Sequence, residues 1–113
     1  MCGGFFAVNV KPDHRQSFLN ASVFKAQSVV SEDAEVFQFH IMVDAENPNR
    51  FYFYKVFRDE AAVQSHWDSE IFKNWLNTVQ TMLDGDIEIT ARTRSLFPTT
   101  KGFKAQKPAL LQW

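Results

Sequence analysis

With a single cysteine, Cys2, the chain can form no internal disulfide, and an unpaired thiol fits a reducing compartment. The four glycines are few, and no phosphate-cradling loop, dinucleotide fingerprint or nucleophile elbow occurs. The three histidines, His14, His40 and His66, stand far apart with no cysteine-rich spacing beside them, so the sequence announces no metal site. A dominant charge is missing too: twelve basic residues against thirteen acidic ones leave −1, which gives a polyanion such as nucleic acid no field to follow. No stretch nears the roughly 20 apolar residues of a membrane span, and the N-terminus shows no basic-then-apolar leader pattern. The expectation is a soluble, cytoplasmic protein without membrane or nucleic-acid partners.

What is abundant is aromatic: twelve Phe, three Trp and two Tyr in 113 residues. A chain of that length forms one domain and buries about two-thirds of its unfolded surface, enough for a core without metal or disulfide. Residues 5–10 (FFAVNV) read as a strand ended by Lys11-Pro12. Beyond Asp13, a plausible N-cap, Leu19, Val23, Ala26 and Val30 recur at helical spacing with Phe18 beside them. Residues 36–43 alternate as a strand, 44–49 supply polar turn residues and a proline, and 51–57 (FYFYKVF) return, aromatic on both faces. Asp59 caps a second helical region with Ala62, Val63 and His66 on one face. It kinks near Asp68-Ser69, where Ser69 reads as a fresh cap, and continues through Phe72, Leu76, Val79 and Leu83 to a stop at Asp84-Gly85. Residues 87–97 form the last strand.

Strand, helix, strand, strand, helix, strand is the split βαβ order of an α+β, ferredoxin-like domain, here residues 1–98. Helices cover one face of such a sheet. The aromatic outer face predicts a homodimer, and the tail at 99–113, with Phe103, Leu110, Leu111 and Trp113, is expected to dock on the partner subunit.

The stretch from Asn47 to His66, in particular Arg50-Phe-Tyr-Phe-Tyr54, Asp59-Glu60 and His66, resembles the antibiotic biosynthesis monooxygenase superfamily, and the likeness extends over about residues 5 to 97. Asn9 in "VNV" and the 50–54 segment look most like the branch of the autoinducer-2 phosphate-processing isomerase and the quinol monooxygenases. The resemblance implies a dimeric α/β barrel acting on a quinol, phenol or small hydroxyketone, with molecular oxygen as co-substrate for the oxygenases and without metal, flavin or haem. The chain departs from the family pattern at Lys55, where a Glu usually follows the aromatic strand core, and in lacking a second His after the first.

Candidate site residues follow from their chemistry. His66 titrates near neutrality and could take a proton from a phenol or an α-hydroxyketone, the first step of both cofactor-free oxygenation and enolisation. Tyr54 and Asn9 could polarise a substrate oxygen, since an amide inside an apolar strand needs partners. Tyr52, on the same strand face as Tyr54, is a candidate for substrate binding, as are the rings of Phe39, Trp67, Phe72 and Trp75. His40 reads first as a surface or interface histidine. Lys25 and Lys55 could each hold an anionic group such as a phosphate, although a lysine reads first as solvent-exposed. The expected activity is a cofactor-independent monooxygenase using His66, Tyr54 and Asn9. The alternatives are an isomerase of a phosphorylated hydroxyketone and a non-catalytic dimeric small-molecule-binding module.

Overall fold

The computed structural model describes residues 1–97. Four strands, β1 (Cys2–Asn9), β2 (Val36–Val43), β3 (Arg50–Phe57) and β4 (Glu88–Arg94), form one sheet in the order β2-β3-β1-β4, every neighbouring pair antiparallel. Three helices, α1 (Arg15–Glu32), α2 (Glu60–Trp67) and α3 (Glu70–Val79), complete the ferredoxin-like α+β fold expected from the element order. The expected docking tail at 99–113 lies outside the described residues. Among the described residues, no helix is long and apolar enough to cross a membrane.

Side-chain alternation sorts the two central strands. Phe6, Val8, Phe51 and Phe53 point towards the helices and meet Phe18, Trp75 and Val79 in the core, while Phe57 on the same face packs with Val29 and Ala62. Lys55 shares that parity, so the strand carries an amine into the interior between two phenyl rings. Tyr52 and Tyr54 point to the opposite, outer face, where Tyr54 stacks on Phe5 with ring centroids 4.3 Å apart.

The first strand begins at Cys2, three residues earlier than expected, because Gly3-Gly4 is part of the ladder. Glycine weakens a strand in general, but here it is required. A Cβ on Gly3 would collide with the backbone carbonyl of Lys55 on the neighbouring strand.

The first helix turns a different face inward from the one its apolar residues suggest. Phe18, Ser22, Lys25 and Val29 are buried, whereas Val23 and Val30 are 42% and 44% exposed. Apolar and polar residues are spread almost evenly around α1, so the apolar set gave the wrong orientation. Ser22 is buried because its Oγ accepts the indole N–H of Trp75 at 2.9 Å, tying α1 to α3.

The second helical region breaks where expected. Asp59 accepts from Ala62 N at 2.9 Å, and Ser69 Oγ accepts from Phe72 N at 3.2 Å. The Ser69 hydroxyl also donates to the His66 carbonyl at 2.7 Å, and its backbone N–H reaches the same oxygen at 3.1 Å. Two donors therefore fix the last turn of α2, which carries the buried imidazole. Ser69→Ala removes the cap and one of these donors. It is expected to cost about 1 kcal/mol, read as a lower midpoint in urea with an unchanged slope.

Candidate functional site

Three basic side chains converge between the sheet and the helices. Lys25 comes from α1, Lys55 from β3 and His66 from α2, and they are 4%, 2% and 2% exposed. Lys55 Nζ lies 3.1 Å from His66 Nε2. With the imidazole neutral, Nε2 accepts from the amine and the ring proton resides on Nδ1. No carboxylate joins them: the described residues form two ion pairs, Arg50–Glu88 and Arg58–Glu35, and neither touches the cluster.

Aromatic rings fill the space that counter-ions would occupy. Lys25 Nζ lies 4.4 Å from the ring centroid of Trp75, 4.8 Å from that of Phe72 and 5.4 Å from that of Phe39. Lys55 Nζ lies 4.8 Å from Phe39, 5.3 Å from Trp67 and 5.5 Å from Phe6. The imidazole is flanked by Phe57, Phe72 and Trp67, with centroids at 5.3, 5.7 and 5.9 Å. Ring faces attract a cation by about 2 kcal/mol when desolvated, which falls short of the cost of taking an ammonium out of water.

The cluster responds by shedding protons. Burial, the larger cause, lowers the Lys25 pKa to about 8. Burial and then the neighbouring charge of Lys25 hold Lys55 well below the ordinary lysine value. Burial, followed by the fields of Lys55 and Lys25, lowers His66 to about 3. At neutral pH the imidazole is therefore uncharged.

Two openings lie beside this cluster. A groove of about 470 Å³ runs between α1 and α3, with Lys25 and Trp75 in its wall. A cavity of about 410 Å³ lies beneath α2 at the β1–β4 edge, bounded by Phe6, Phe57 and Trp67, whose rings separate it from Lys55 and His66. Both fall in the size range of small-molecule sites.

Of the residues selected from sequence, Phe39, Trp67, Phe72 and Trp75 surround the three basic groups, and His66 lies at their centre. Tyr54, Tyr52 and Asn9 do not join it. All three belong to the outer face of the sheet, so the expected grouping of His66 with Tyr54 and Asn9 is not formed within one chain. Strand parity is the reason: β3 turns its odd-numbered residues to the helices and its even-numbered ones away. The Asn9 side chain is satisfied there, its Oδ1 accepting from Arg50 Nη1 at 2.9 Å. The same Nη1 bonds Glu88, while Arg50 Nε donates to the Tyr52 hydroxyl, which in turn donates to Asp44 Oδ1 at 2.6 Å. His40 is exposed opposite Tyr54 on β2.

Sequence reasoning named Lys25 and Lys55 as possible holders of an anion but placed neither in the interior, because lysine reads as a surface residue. The signal for Lys55 was its parity with Phe51, Phe53 and Phe57, and for Lys25 its spacing of seven from Phe18 and four from Val29. Among the described residues, no group of three or more His, Cys, Asp or Glu side chains is placed to hold a metal ion.

Comparison with known proteins accords with this architecture. The family profile of the antibiotic biosynthesis monooxygenases matches residues 5–78, and the chain belongs to that family. No curated protein sequence matches it. Among solved structures, a protein of Nitrosomonas europaea assigned to the antibiotic biosynthesis monooxygenases superposes with a TM-score of 0.81 at 20% identity, over 87% of this chain and 92% of that one. One of Caulobacter crescentus, assigned likewise, gives 0.80 at 13% identity over 84% and 89%. A conserved protein of Methanosarcina mazei Go1 gives 0.77 at 21% identity over 83% and 91%. At these identities the likeness establishes the fold.

The buried cations set a pH dependence. Lys25 has a folded-state pKa of about 8, below its ordinary 10.5, so between those values the unfolded chain binds more protons and stability rises with pH. His66 acts in the same sense lower down, and its contribution is lost as pH falls from 6.5 towards about 3. Lys25→Met deletes the buried charge and keeps most of the volume. At about 1.4 kcal/mol per pKa unit, it is expected to stabilise the free protein by up to about 3 kcal/mol near neutral pH and to flatten the alkaline rise in Tm.

Proposed function

We propose that the protein is a cofactor-independent monooxygenase acting on a small quinol, phenol or hydroxyketone, with the Lys55–His66 pair as its proton-handling centre. One observation carries this reading: an amine and an imidazole in hydrogen-bond contact, buried, with no carboxylate partner among the described residues, and enclosed by aromatic rings.

In this scheme His66 is the general base, Lys55 holds the oxyanion that forms as the proton leaves, and the rings of Phe39, Trp67, Phe72 and Trp75 grip the substrate plane. Lys55 takes the polarising role that Tyr54 and Asn9 had in the sequence reading. A base whose free pKa is about 3 is weak; burial is the larger cause, and the fields of Lys55 and Lys25 add to it. The negative charge arising on the substrate offsets the lysine fields and returns proton affinity to the ring. The resulting anion passes one electron to dioxygen, and the radical pair combines as a carbon-bound peroxide anion that takes the proton back from His66 to give a hydroperoxide. Loss of water then leaves a carbonyl where a ring C–H stood, with the second oxygen atom in the water.

Isomerisation shares the first step, since an enolate that is reprotonated on the neighbouring carbon needs no oxygen. The Lys25 groove, with room for an anionic group, favours this as a second reading. A non-catalytic binding module is the third, favoured by the low proton affinity of the resting imidazole. Oxygen consumption with a panel of quinols separates them. Uptake that falls about 100-fold or more in His66→Ala and in Lys55→Met supports oxygenation. No uptake, alongside turnover of a phosphorylated hydroxyketone, moves the assignment to isomerase. A ligand recovered unchanged and bound equally by His66→Ala points to the binding module.

The working form is proposed to be a cytoplasmic homodimer paired through the outer sheet face, where Phe5, Tyr52, Tyr54 and Met42 are half-buried in the single chain. Sedimentation is expected to give twice the chain mass at micromolar concentration. A stable monomer there would refute the arrangement.

A further inference from the structure

Lys25 has no place in the proton transfer just described, yet its position is the least explained in the molecule. Its Nζ is fully enclosed; the neighbour it meets is the amine of Lys55, itself basic, and no oxygen acceptor among the described residues reaches it. The donor positions of an ammonium are thus poorly used, which is costly in any buried setting. A methionine or leucine would fill the same space against Phe39, Phe72 and Trp75 without that cost. The side chain also forms part of the wall of the groove between α1 and α3, with the enclosed amine behind that wall, so a small shift of the wall brings it to a molecule lying in the groove.

The surroundings define what such a molecule must bring. The ionisable groups facing Lys25 are Lys55 from β3 and His66 from α2, both basic; β2 offers the Phe39 ring, and α3 offers Trp75 with the neutral Asn74 and Thr78. Glu32 of α1 is the one acidic group along the groove, and it is exposed. The missing component is negative charge with hydrogen-bond-accepting oxygens, delivered beside flat apolar surface.

We propose that Lys25 is the receptor for an oxyanion, a carboxylate or phosphate, joined to a small planar ring system that enters between α1 and α3. The inference rests on the reading of the Lys25–Lys55–His66 cluster as the substrate site and narrows its ligand to anions. The oxyanion accepts from the Lys25 ammonium, and the ring lies against Trp75 and Phe72. The Ser22–Trp75 hydrogen bond holds the indole in place as one wall. Binding also recharges the cluster. An anion beside Lys25 raises its proton affinity, so the complex takes up protons from solution. With a free pKa of about 8, Lys25 alone accounts for about half a proton per chain at that pH.

Isothermal titration near pH 8, in two buffers of different ionisation enthalpy, tests this with benzoate, phenyl phosphate, inorganic phosphate and benzamide. The expected result is that benzoate or phenyl phosphate binds with net proton uptake, while inorganic phosphate and the neutral benzamide bind at least tenfold more weakly. In Lys25→Met, which retains or gains thermal stability, affinity for the ring-bearing anion falls at least tenfold and proton uptake disappears. Equal binding of benzoate and benzamide overturns the proposal, as does undiminished anion binding by Lys25→Met. Equal affinity for inorganic phosphate and phenyl phosphate removes the ring from it and overturns it in that form. Should neutral quinols drive His66-dependent oxygen uptake while no anion binds, the oxygenase reading stands and this one falls. Anion binding without any oxygen uptake gives the reverse.

Discussion

The arrangement of this domain depends on one electrostatic constraint: three basic side chains share an interior that contains no acid. Among the described residues, aromatic rings and the Lys55–His66 contact supply the attraction to those groups, and it is too weak to keep them all protonated. Every nearby element bears the mark of that constraint. The second helix region is broken at Ser69 so that His66 can be held by two donors to its carbonyl. The first strand gives up a side chain at Gly3 so that the Lys55 backbone can approach.

The two sides of the sheet divide the chemistry. On the helix side lie the neutralised bases and their rings. On the outer side runs an orthodox polar chain from Asp44 through Tyr52 and Arg50 to Asn9 and Glu88, in which charges meet opposite charges and the amide is satisfied. The outer network joins β4, β1, β3 and the end of β2 and needs no ligand to complete it. The inner cluster is left incomplete by the protein alone, which is the usual condition of a site and an unusual one for a core.

Much of the fold was legible because the local signals agreed. The β2 range, the hairpin, the Asp59 cap and the Ser69 restart all follow from alternation and capping, and each appears in the structure at its expected place. The family followed from residues 50–66. The orientation of α1 was not legible, because a buried face that carries Ser22 and Lys25 defeats any search for apolar periodicity. The site was half legible for the same reason. Rings advertise an interior, so Phe39, Trp67, Phe72 and Trp75 were selected, whereas lysines advertise a surface, and Lys25 and Lys55 were read only as possible anion holders. Tyr54 and Asn9 were attached to His66 by chemical suitability, without regard to the parity that sends them through the sheet. The places where sequence rules failed are those where the protein departs from ordinary core composition.

Trp75 occupies a particular position in this scheme. Its ring is at once a wall of the groove, a face presented to Lys25 and, through its N–H, the partner of Ser22 across the helix pair. An indole so placed is a built-in optical gauge. A change in the charge of the ammonium 4.4 Å away shifts the electric field across the chromophore, so the emission of this residue follows the protonation and occupancy of the interior without any added label.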